Sequence, residues 1–258
     1  MRNSRVIVFA GQKGGVGKST IATNIATIAA CSGADVMVID GDKQLTTKKY
    51  FDDRRRFGEH LPTANCAVSE GPGTGRLIDS LSDKYDLVVV DLGGGDTETL
   101  RGALMADSIS DVWLPTQPSV PDIRTLPFMV ELVDQHSTNR RPLASHAIIN
   151  RAETNPSVST LKATRAYIQE IDKLGVAATV LHDRIDYKYA MSYGISIAEL
   201  QSQKLHDEKH AYRRKEPKGA KETIALFLEI MGDEPVVDIT RFESYLQGIL
   251  DRGMQSGK

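Results

Sequence analysis

The sequence has few cysteines, no long apolar run and almost no net charge. Its 258 residues include two cysteines, Cys31 and Cys66, which are far apart and in no metal-ligand spacing. We interpret them as free, buried thiols of a cytosolic protein. No run of about 20 apolar residues occurs, so no spanning helix is predicted, and the N-terminal apolar run is too short for a secretory signal. The net charge of −2 excludes a globally basic nucleic-acid binder, so any DNA contact has to come from a local basic patch.

Short apolar runs alternate with longer segments of helical character. The runs are rich in β-branched residues and apolar on both faces, which is typical of buried parallel strands. They predict an α/β fold: a doubly wound, mostly parallel sheet flanked by helices, with ligands beyond the carboxyl ends of the strands. The predicted strands are 5–10, 35–40, 86–91, 111–115, 146–150 and 176–181, and the predicted helices between them are 18–32, 44–57, 73–82, 97–108, 122–136 and 156–174.

A glycine-rich loop, "GQKGGVGKST", follows the first predicted strand. Its glycines allow the backbone to approach an anion, and the helix that follows directs free N–H groups and a positive dipole end at the same point. We therefore expect Lys18 to contact the β- and γ-phosphates of a nucleotide and Ser19 to ligate Mg²⁺. The residues predicted to bind the nucleotide here are Gly14, Gly15, Val16, Gly17, Lys18, Ser19 and Thr20.

The loop departs from the general phosphate-binding pattern in two ways. Gln12 replaces the first glycine of that pattern, and a second lysine, Lys13, precedes Lys18 by five residues. The resulting K-G-G-x-G-K-[ST] motif resembles the deviant loop of the MinD/ParA signature-lysine ATPases. The resemblance implies a P-loop NTPase fold of the SIMIBI/MinD type, with ATP and Mg²⁺ as cofactors and slow, partner-stimulated hydrolysis. It also implies an ATP-dependent homodimer in which Lys13 reaches the phosphates of the partner's ATP, as an arginine finger does.

Two acidic segments support the resemblance. "VIDGDKQ" is similar to the family's D-x-D-P-Q segment, which implies that Asp40 serves the Mg²⁺ shell and that Asp42 orients the attacking water. "LVVVDLGGG" resembles the Walker B strand, which implies that Asp91 lies near the metal. Lys43 replaces the usual proline, and Gly93–Gly95 replace a D-x-P-P motif. We expect these glycines to make the region after Asp91 more mobile.

Two later segments resemble the family's base-binding elements. In "IINR", Asn150 is expected to recognise adenine by hydrogen bonds, although an asparagine there is also a common turn former. In "LPTQPSVPD", Pro118 is expected to lie beside the base. The catalytic set implied by the resemblance is thus Lys13, Lys18 and Asp42.

The resemblance is strongest to short, plasmid-type ParA partition ATPases, because the first predicted strand begins at residue 5. It implies non-specific DNA binding, a centromere-binding (ParB-like) partner and a cytoplasmic, nucleoid-associated protein. Segment 204–221, with seven Lys or Arg against three acidic residues, is one candidate DNA contact, and segment 43–56 is another; either could equally be an ordinary solvated face. The DNA-binding candidates in the first are Lys204, Lys209, Arg213, Arg214, Lys215 and Lys218.

The C-terminal region leaves two other functions open. We predict a P-loop ATPase domain over 1–232, and a linker with a short amphipathic helix, 240–252, within 233–258. That helix could place a MinD-like protein on a membrane. However, residues 232–258 hold five acidic and three basic residues, whereas membrane-surface helices usually carry a basic face; docking on the body or on a partner is favoured. A nucleotide-switched adaptor for conjugation or transport is the third possibility.

Overall fold

One parallel sheet organises the chain. The computed structural model describes residues 4–58, 61–136, 142–154, 158–200, 218–232 and 237–255. The strands in this part of the chain are β1 (Arg5–Gly11), β2 (Val36–Gly41), β3 (Asn65–Val68), β4 (Leu87–Gly94), β5 (Asp111–Thr116), β6 (Ala144–Ile149) and β7 (Leu174–Val176). They form a seven-stranded sheet in the order β3-β2-β4-β1-β5-β6-β7, with every pair parallel. This confirms the predicted fold class.

Helices cover both faces of the sheet. Successive side chains of a strand point to opposite faces; accordingly, Ile7 and Phe9 of β1 belong to one apolar cluster, and Val6 and Val8 to the other. The helices are α1 (Lys18–Cys31), α2 (Thr46–Phe57), α3 (Thr74–Ser82), α4 (Glu98–Leu104), α5 (Val120–Ile123), α6 (Leu126–His136), α7 (Val158–Gln169), α8 (Ile185–Ser192), α9 (Lys218–Met231) and α10 (Ile239–Gln255). The first cluster includes side chains of α1, α2, α9 and α10, and the second includes those of α3, α4, α6 and α7.

The topology places the predicted motifs at one edge of the sheet. β1 lies between β4 and β5, and β2 lies on the other side of β4. Because parallel strands all end at the same edge, the loop after β1 meets the carboxyl ends of β2 and β4 there. Asp40 and Asp91 are register partners across β2 and β4, so the two acidic segments lie side by side below the glycine-rich loop.

Two observed elements were not predicted, and two predicted elements differ from the observed ones. β3 and α8 were not predicted, and the predicted helix 122–136 is two helices, because Pro127 lies in the first turn of α6, where its missing N–H costs nothing. The predicted strand 176–181 is wrong in its bounds, since β7 is Leu174–Val176. The backbone N–H groups of Ala177 and Leu181 still donate to carbonyls of β6, so the chain continues beside β6 without a regular ladder.

The C-terminal helix packs on the body. Phe242 of α10 is 1% exposed and belongs to the same cluster as the core of α1. Ile249 is also buried, and Tyr245 and Leu246 are half-buried against that cluster, whereas the side chain of Leu250 lies outside the described part. Within the described ranges, no helix combines the length and apolar character needed to cross a bilayer.

Candidate functional site

The loop between β1 and α1 forms a glycine-rich turn at the N-terminus of α1. Gly15 (φ 76°) and Gly17 (φ 98°) adopt left-handed backbone conformations that side chains disfavour, whereas Gly14 does not. A Cβ on Gly17 would also lie 2.1 Å from Asn150 Nδ2. α1 begins at Lys18, directly after this turn, so its free N–H groups point to the loop.

A cavity of about 580 Å³ opens beside the loop. This volume lies within the range of small-molecule sites, roughly 300–1,000 Å³. Its lining joins the loop and the start of α1 to Asp42 and Gln44 after β2 and to the segment after β6, as expected for a ligand site at the carboxyl edge of the sheet. The lining residues are Gly14, Gly15, Gly17, Lys18, Ser19, Thr20, Ile21, Asp42, Gln44, Thr46, Asn150, Arg151, Leu181, His182, Asp183, Arg184, Tyr187, Lys188 and Met191.

Lys18 is a buried cation in the lining of this cavity. Lys18 is only 5% exposed, and its Nζ donates a hydrogen bond to the carbonyl oxygen of Lys13 at 3.0 Å. Burial lowers the pKa of its ammonium group, and the nearby carboxylates of Asp91 and Asp42 partly oppose that shift. A buried cation at a helix N-terminus is suited to receive the charge of a triphosphate.

Lys13 does not line the cavity. Its side chain is 39% exposed, and its Nζ forms an ion pair at 3.1 Å with Asp122 of α5, which also accepts a hydrogen bond from Ser119. Lys13 and Lys18 therefore point to different surroundings, although five residues separate them.

Asp40 and Asp42 occupy different environments at the end of β2. Asp40 is fully buried and accepts backbone N–H bonds from Asp42 at 3.0 Å and from Lys48 at 2.8 Å. Burial raises the pKa of Asp40, and these two hydrogen bonds act in the opposite direction. Asp42 lines the cavity, and its carboxylate accepts a hydrogen bond from the Gln44 N–H at 2.9 Å.

Asp91, in β4, is the most strongly perturbed of these acids. It is fully buried; Thr47 Oγ1 donates to its Oδ2 at 2.7 Å, whereas its Oδ1 has no hydrogen-bond partner among the described residues. Burial raises its pKa to about 7, although the hydroxyls of Thr47 and Ser19 act to lower it. A buried carboxylate oxygen without a partner, close to the Ser19 hydroxyl, fits a hard cation such as Mg²⁺, which proteins hold with one or two carboxylates beside phosphate. Ser19, Asp40 and Asp91 are thus the residues that would hold the metal.

The glycines after Asp91 allow close backbone contact. β4 continues through Gly94, where an added Cβ would lie 2.9 Å from the N atom of Gly14 and 3.0 Å from the carbonyl carbon of Lys13. A Cβ on Gly93 would meet only Asp42, at 3.5 Å. The structure thus gives Gly94 a packing role: the end of β4 supports the loop beneath Lys13.

The other end of the cavity is built by residues that the sequence did not indicate. Glu222 of α9 accepts hydrogen bonds from the backbone N–H of His182 (3.1 Å) and from Arg184, and the Tyr187 hydroxyl lies 2.8 Å from that of Thr223. These contacts fix the segment after β7 against α9. No local motif marks Glu222, whose partners lie about 40 positions away in sequence.

Asn150 and Pro118 lie in different positions relative to the cavity. Asn150 is buried, lines the cavity and donates from Nδ2 to the carbonyl of Val16 at 2.6 Å. Next to it, Arg151 donates to the Gly15 carbonyl at 2.9 Å. Pro118 is half-buried and does not line the cavity. The segment after β6 therefore braces the loop from the side opposite β4.

The two basic segments differ in what the structure describes. Lys204, Lys209, Arg213, Arg214 and Lys215 lie outside the described residues, whereas Lys218 is exposed at the start of α9.

In segment 43–56 the positive charge is largely paired. Arg54 is fully buried against Glu199 at 2.9 Å, Lys48 and Arg55 pair with Asp52, and Arg56 pairs with Asp53. Within this candidate segment, the Arg54 side chain is therefore not part of the protein surface.

Comparison with known proteins agrees with this geometry. Residues 7–197 match the family described as the CobQ/CobB/MinD/ParA nucleotide binding domain. The septum site-determining protein MinD complexed with Mg-ADP from Pyrococcus horikoshii OT3 is similar, with a TM-score of 0.64 and 18% identity over 90% of this chain and 96% of its own. An ATP complex of a McdA variant from Cyanothece has a TM-score of 0.65 and 16% identity over 92% of this chain and 100% of its own.

A putative plasmid partition protein from Borrelia burgdorferi B31 bound to AMPPNP is also similar, with a TM-score of 0.59 and 20% identity over 88% of this chain and 98% of its own. At these identities the likeness shows a shared fold. No curated protein matches the chain significantly.

Proposed function

The chain belongs to the CobQ/CobB/MinD/ParA nucleotide-binding family, and from this premise we propose that it is an ATP-dependent, dimerising ATPase that partitions DNA. In this proposal two copies associate face to face when both hold ATP, and the dimer binds DNA without sequence preference. A centromere-binding, ParB-like protein attached to plasmid or chromosomal DNA then stimulates slow hydrolysis. The protein would act in the cytoplasm, on the nucleoid.

The position of Lys13 carries the proposal. A lysine that served its own nucleotide would line the cavity, as Lys18 does, but Lys13 lies outside that lining with its side chain 39% exposed. Its backbone is nevertheless held close to the cavity by Lys18 and by the end of β4. This exposed position supports the proposal that Lys13 approaches a second nucleotide presented by another copy of the chain.

The polar residues predicted from the sequence have proposed roles in nucleotide binding and phosphoryl transfer. Lys18 and the N–H groups at the start of α1 bind the β- and γ-phosphates, while Ser19, Asp40 and Asp91 hold Mg²⁺ or its water ligands. Asp42 orients the attacking water, and Lys13 of the second copy adds positive charge where the transferred phosphoryl group develops negative charge. Asn150 binds the adenine.

The experiment that tests the proposal is size-exclusion chromatography with light scattering, in ATP and in ADP. The wild-type protein is expected to be a dimer in ATP and a monomer in ADP. Lys13→Ala should still bind a fluorescent nucleotide but stay monomeric in both. Lys173→Ala is the matched control, because Lys173 also pairs with an aspartate, Asp134 at 2.9 Å, on an exposed surface away from the cavity; it should behave as wild type.

DNA added to the same samples tests the partition step. Retention is expected only for the ATP dimer and should fall steeply as salt is raised, because phosphate contacts by Lys and Arg release counterions. An ATP dimer that retains no DNA even at low salt would exclude partition by non-specific DNA binding. A Lys13→Ala protein that dimerises like wild type would exclude the role given to Lys13.

The two alternatives receive less support. In a MinD-like membrane protein the apolar face of the last helix would be available to lipid, but Phe242 and Ile249 are buried in the core. For a nucleotide-switched adaptor, ATP-dependent dimers would form without appreciable turnover in the presence of DNA and partner. Measuring phosphate release from the dimer separates that possibility from partition.

A further inference from the structure

A hydroxyl from α2 reaches the buried acid of β4. Thr47 lies in the first turn of α2, and its Oγ1 donates to Asp91 Oδ2 at 2.7 Å across 44 positions of sequence. Both residues are 0% exposed. Because no water can replace a partner at such depth, this hydrogen bond decides how the carboxylate of Asp91 is turned.

The two oxygens of Asp91 are therefore not equivalent. Thr47 donates to Oδ2, and Oδ1 is buried with no hydrogen-bond partner in the part of the chain that the structure describes. Buried carboxylate oxygens without partners are rare in folded proteins, so the unpartnered oxygen is the one left for a cation or its water ligand. We infer that Thr47 is a positioning residue that orients Asp91 for Mg²⁺. This inference rests on the proposed binding of Mg²⁺ and nucleotide, and not on the dimer or on DNA.

The next residue of α2, Lys48, orients the other buried acid, Asp40, in a similar way. The backbone N–H of Lys48 donates to Asp40 Oδ2 at 2.8 Å, and the backbone N–H of Asp42 donates to Asp40 Oδ1 at 3.0 Å. One helical turn thus orients both buried carboxylates, Asp40 through a main-chain group and Asp91 through a side chain. The main-chain group survives any ordinary substitution, whereas the Thr47 hydroxyl does not, so Thr47 gives the clean test.

Metal affinity separates positioning from a purely structural role. Thr47→Val keeps the shape of the side chain and removes the hydroxyl, and Thr47→Ser keeps the hydroxyl. Thr27→Val is the matched control, because Thr27 is also 0% exposed and its hydroxyl bonds to another side chain, that of Tyr50 at 3.0 Å, rather than to a carboxylate. Each valine variant loses one buried hydroxyl, but only one of them touches a proposed metal residue.

The experiment titrates Mg²⁺ into the full-length protein with a fluorescent ADP analogue, starting in EDTA. Thr47→Val should raise the Mg²⁺ concentration at the midpoint by about 10- to 100-fold, the range seen when partners of metal ligands are removed. Thr47→Ser should restore the wild-type midpoint, and Thr27→Val should leave it unchanged. Binding of the analogue without Mg²⁺ should be the same for every variant.

The outcomes distinguish this inference from the proposed function. A wild-type midpoint for folded Thr47→Val, or an equal shift in Thr27→Val, would overturn the role of Thr47 while leaving the proposed function intact. If Thr47→Val does not fold, Thr47→Ala replaces it with the same expected shift. Wild-type protein whose nucleotide binding ignores Mg²⁺ would overturn the proposed site itself, and the role of Thr47 with it.

Discussion

At the scale of single residues, the site contains three charged groups that are almost or fully buried. Lys18 is nearly buried, and Asp40 and Asp91 are fully buried, so each depends on its neighbours for compensation. Perturbed acids and bases in a cleft are typical of functional sites. The cluster is arranged for a ligand that brings both negative phosphate and a divalent cation.

Asp91 gives a prediction about pH. Burial raises its pKa from the ordinary 3.8 to about 7. Between pH 3.8 and about pH 7, the unfolded chain has therefore released the carboxyl proton of Asp91, whereas the folded chain retains it. Stability that this group contributes below pH 4 is therefore lost as pH rises toward 7. We expect metal-free Asp91→Asn, which keeps a neutral side chain, to gain on the order of 2 kcal/mol relative to wild type between pH 5 and pH 8.

Urea unfolding of both proteins in EDTA, at those two pH values, measures this difference. Comparing the two proteins removes the contribution of the other titrating groups that they share. A stability difference that is equal at both pH values would show that Asp91 ionises normally in the folded protein.

The residues that sequence reasoning placed at the site are those that belong to local motifs. Lys18, Ser19, Asp40 and Asp42 follow directly from short segments at strand ends, and the parallel topology brings those segments together. Contacts of the same site that join distant segments were not predictable, such as Thr47 with Asp91 or Lys13 with Asp122. Such pairs depend on register and helix placement, which no local spacing encodes.

At the scale of elements, strong patterns were predicted and weak ones were not. β1 and β4 are buried nearly throughout, so their apolar runs are unmistakable. β3 is a four-residue edge strand without a fully buried residue, and α8 has only one buried residue, Ala190. Neither contains the apolar periodicity that a sequence pattern requires.

The buried end of α2 gives a prediction at this scale. Arg54 and Glu199 are both 0% exposed and form a bidentate pair at 2.9 Å, and the Tyr245 hydroxyl of α10 donates to Glu199 at 2.5 Å. Arg54→Met would leave a buried carboxylate without its cation, which costs about 3–5 kcal/mol. Adding Glu199→Gln to that variant should recover part of the loss, because the unpaired charge is removed.

Arg56→Met is the control on the same helix. Its guanidinium is 80% exposed and lies 3.5 Å from Asp53, and exposed pairs contribute no more than about 1 kcal/mol. Urea unfolding in the absence of nucleotide compares the variants. Equal losses for Arg54→Met and Arg56→Met would show that the buried pair does not anchor α2 to the segment that contains Glu199.

At the scale of the whole molecule, the C-terminal helix shares its core with the sheet. Phe242 of α10 and Trp113 of β5 belong to one apolar cluster, together with residues of α1 and α9. A helix held in this way is part of the folded body, and its apolar face is not available to lipid. Trp113 is the single tryptophan of the chain, so its fluorescence reports the core that α10 helps to complete.

Phe242→Ala tests whether α10 and the sheet unfold together. Phe242 is 1% exposed, and removing a buried phenyl ring costs about 3–5 kcal/mol, so the urea midpoint should fall. Because one core contains both side chains, the Trp113 fluorescence and the far-UV circular dichroism should shift to the same new midpoint. Phe128→Ala, on the exposed face of α6 at 40% exposure, should change stability by no more than about 0.5 kcal/mol. A Phe242→Ala protein whose Trp113 transition stays at the wild-type midpoint, or wild-type protein that sediments with anionic vesicles, would show that α10 is free to act outside the body.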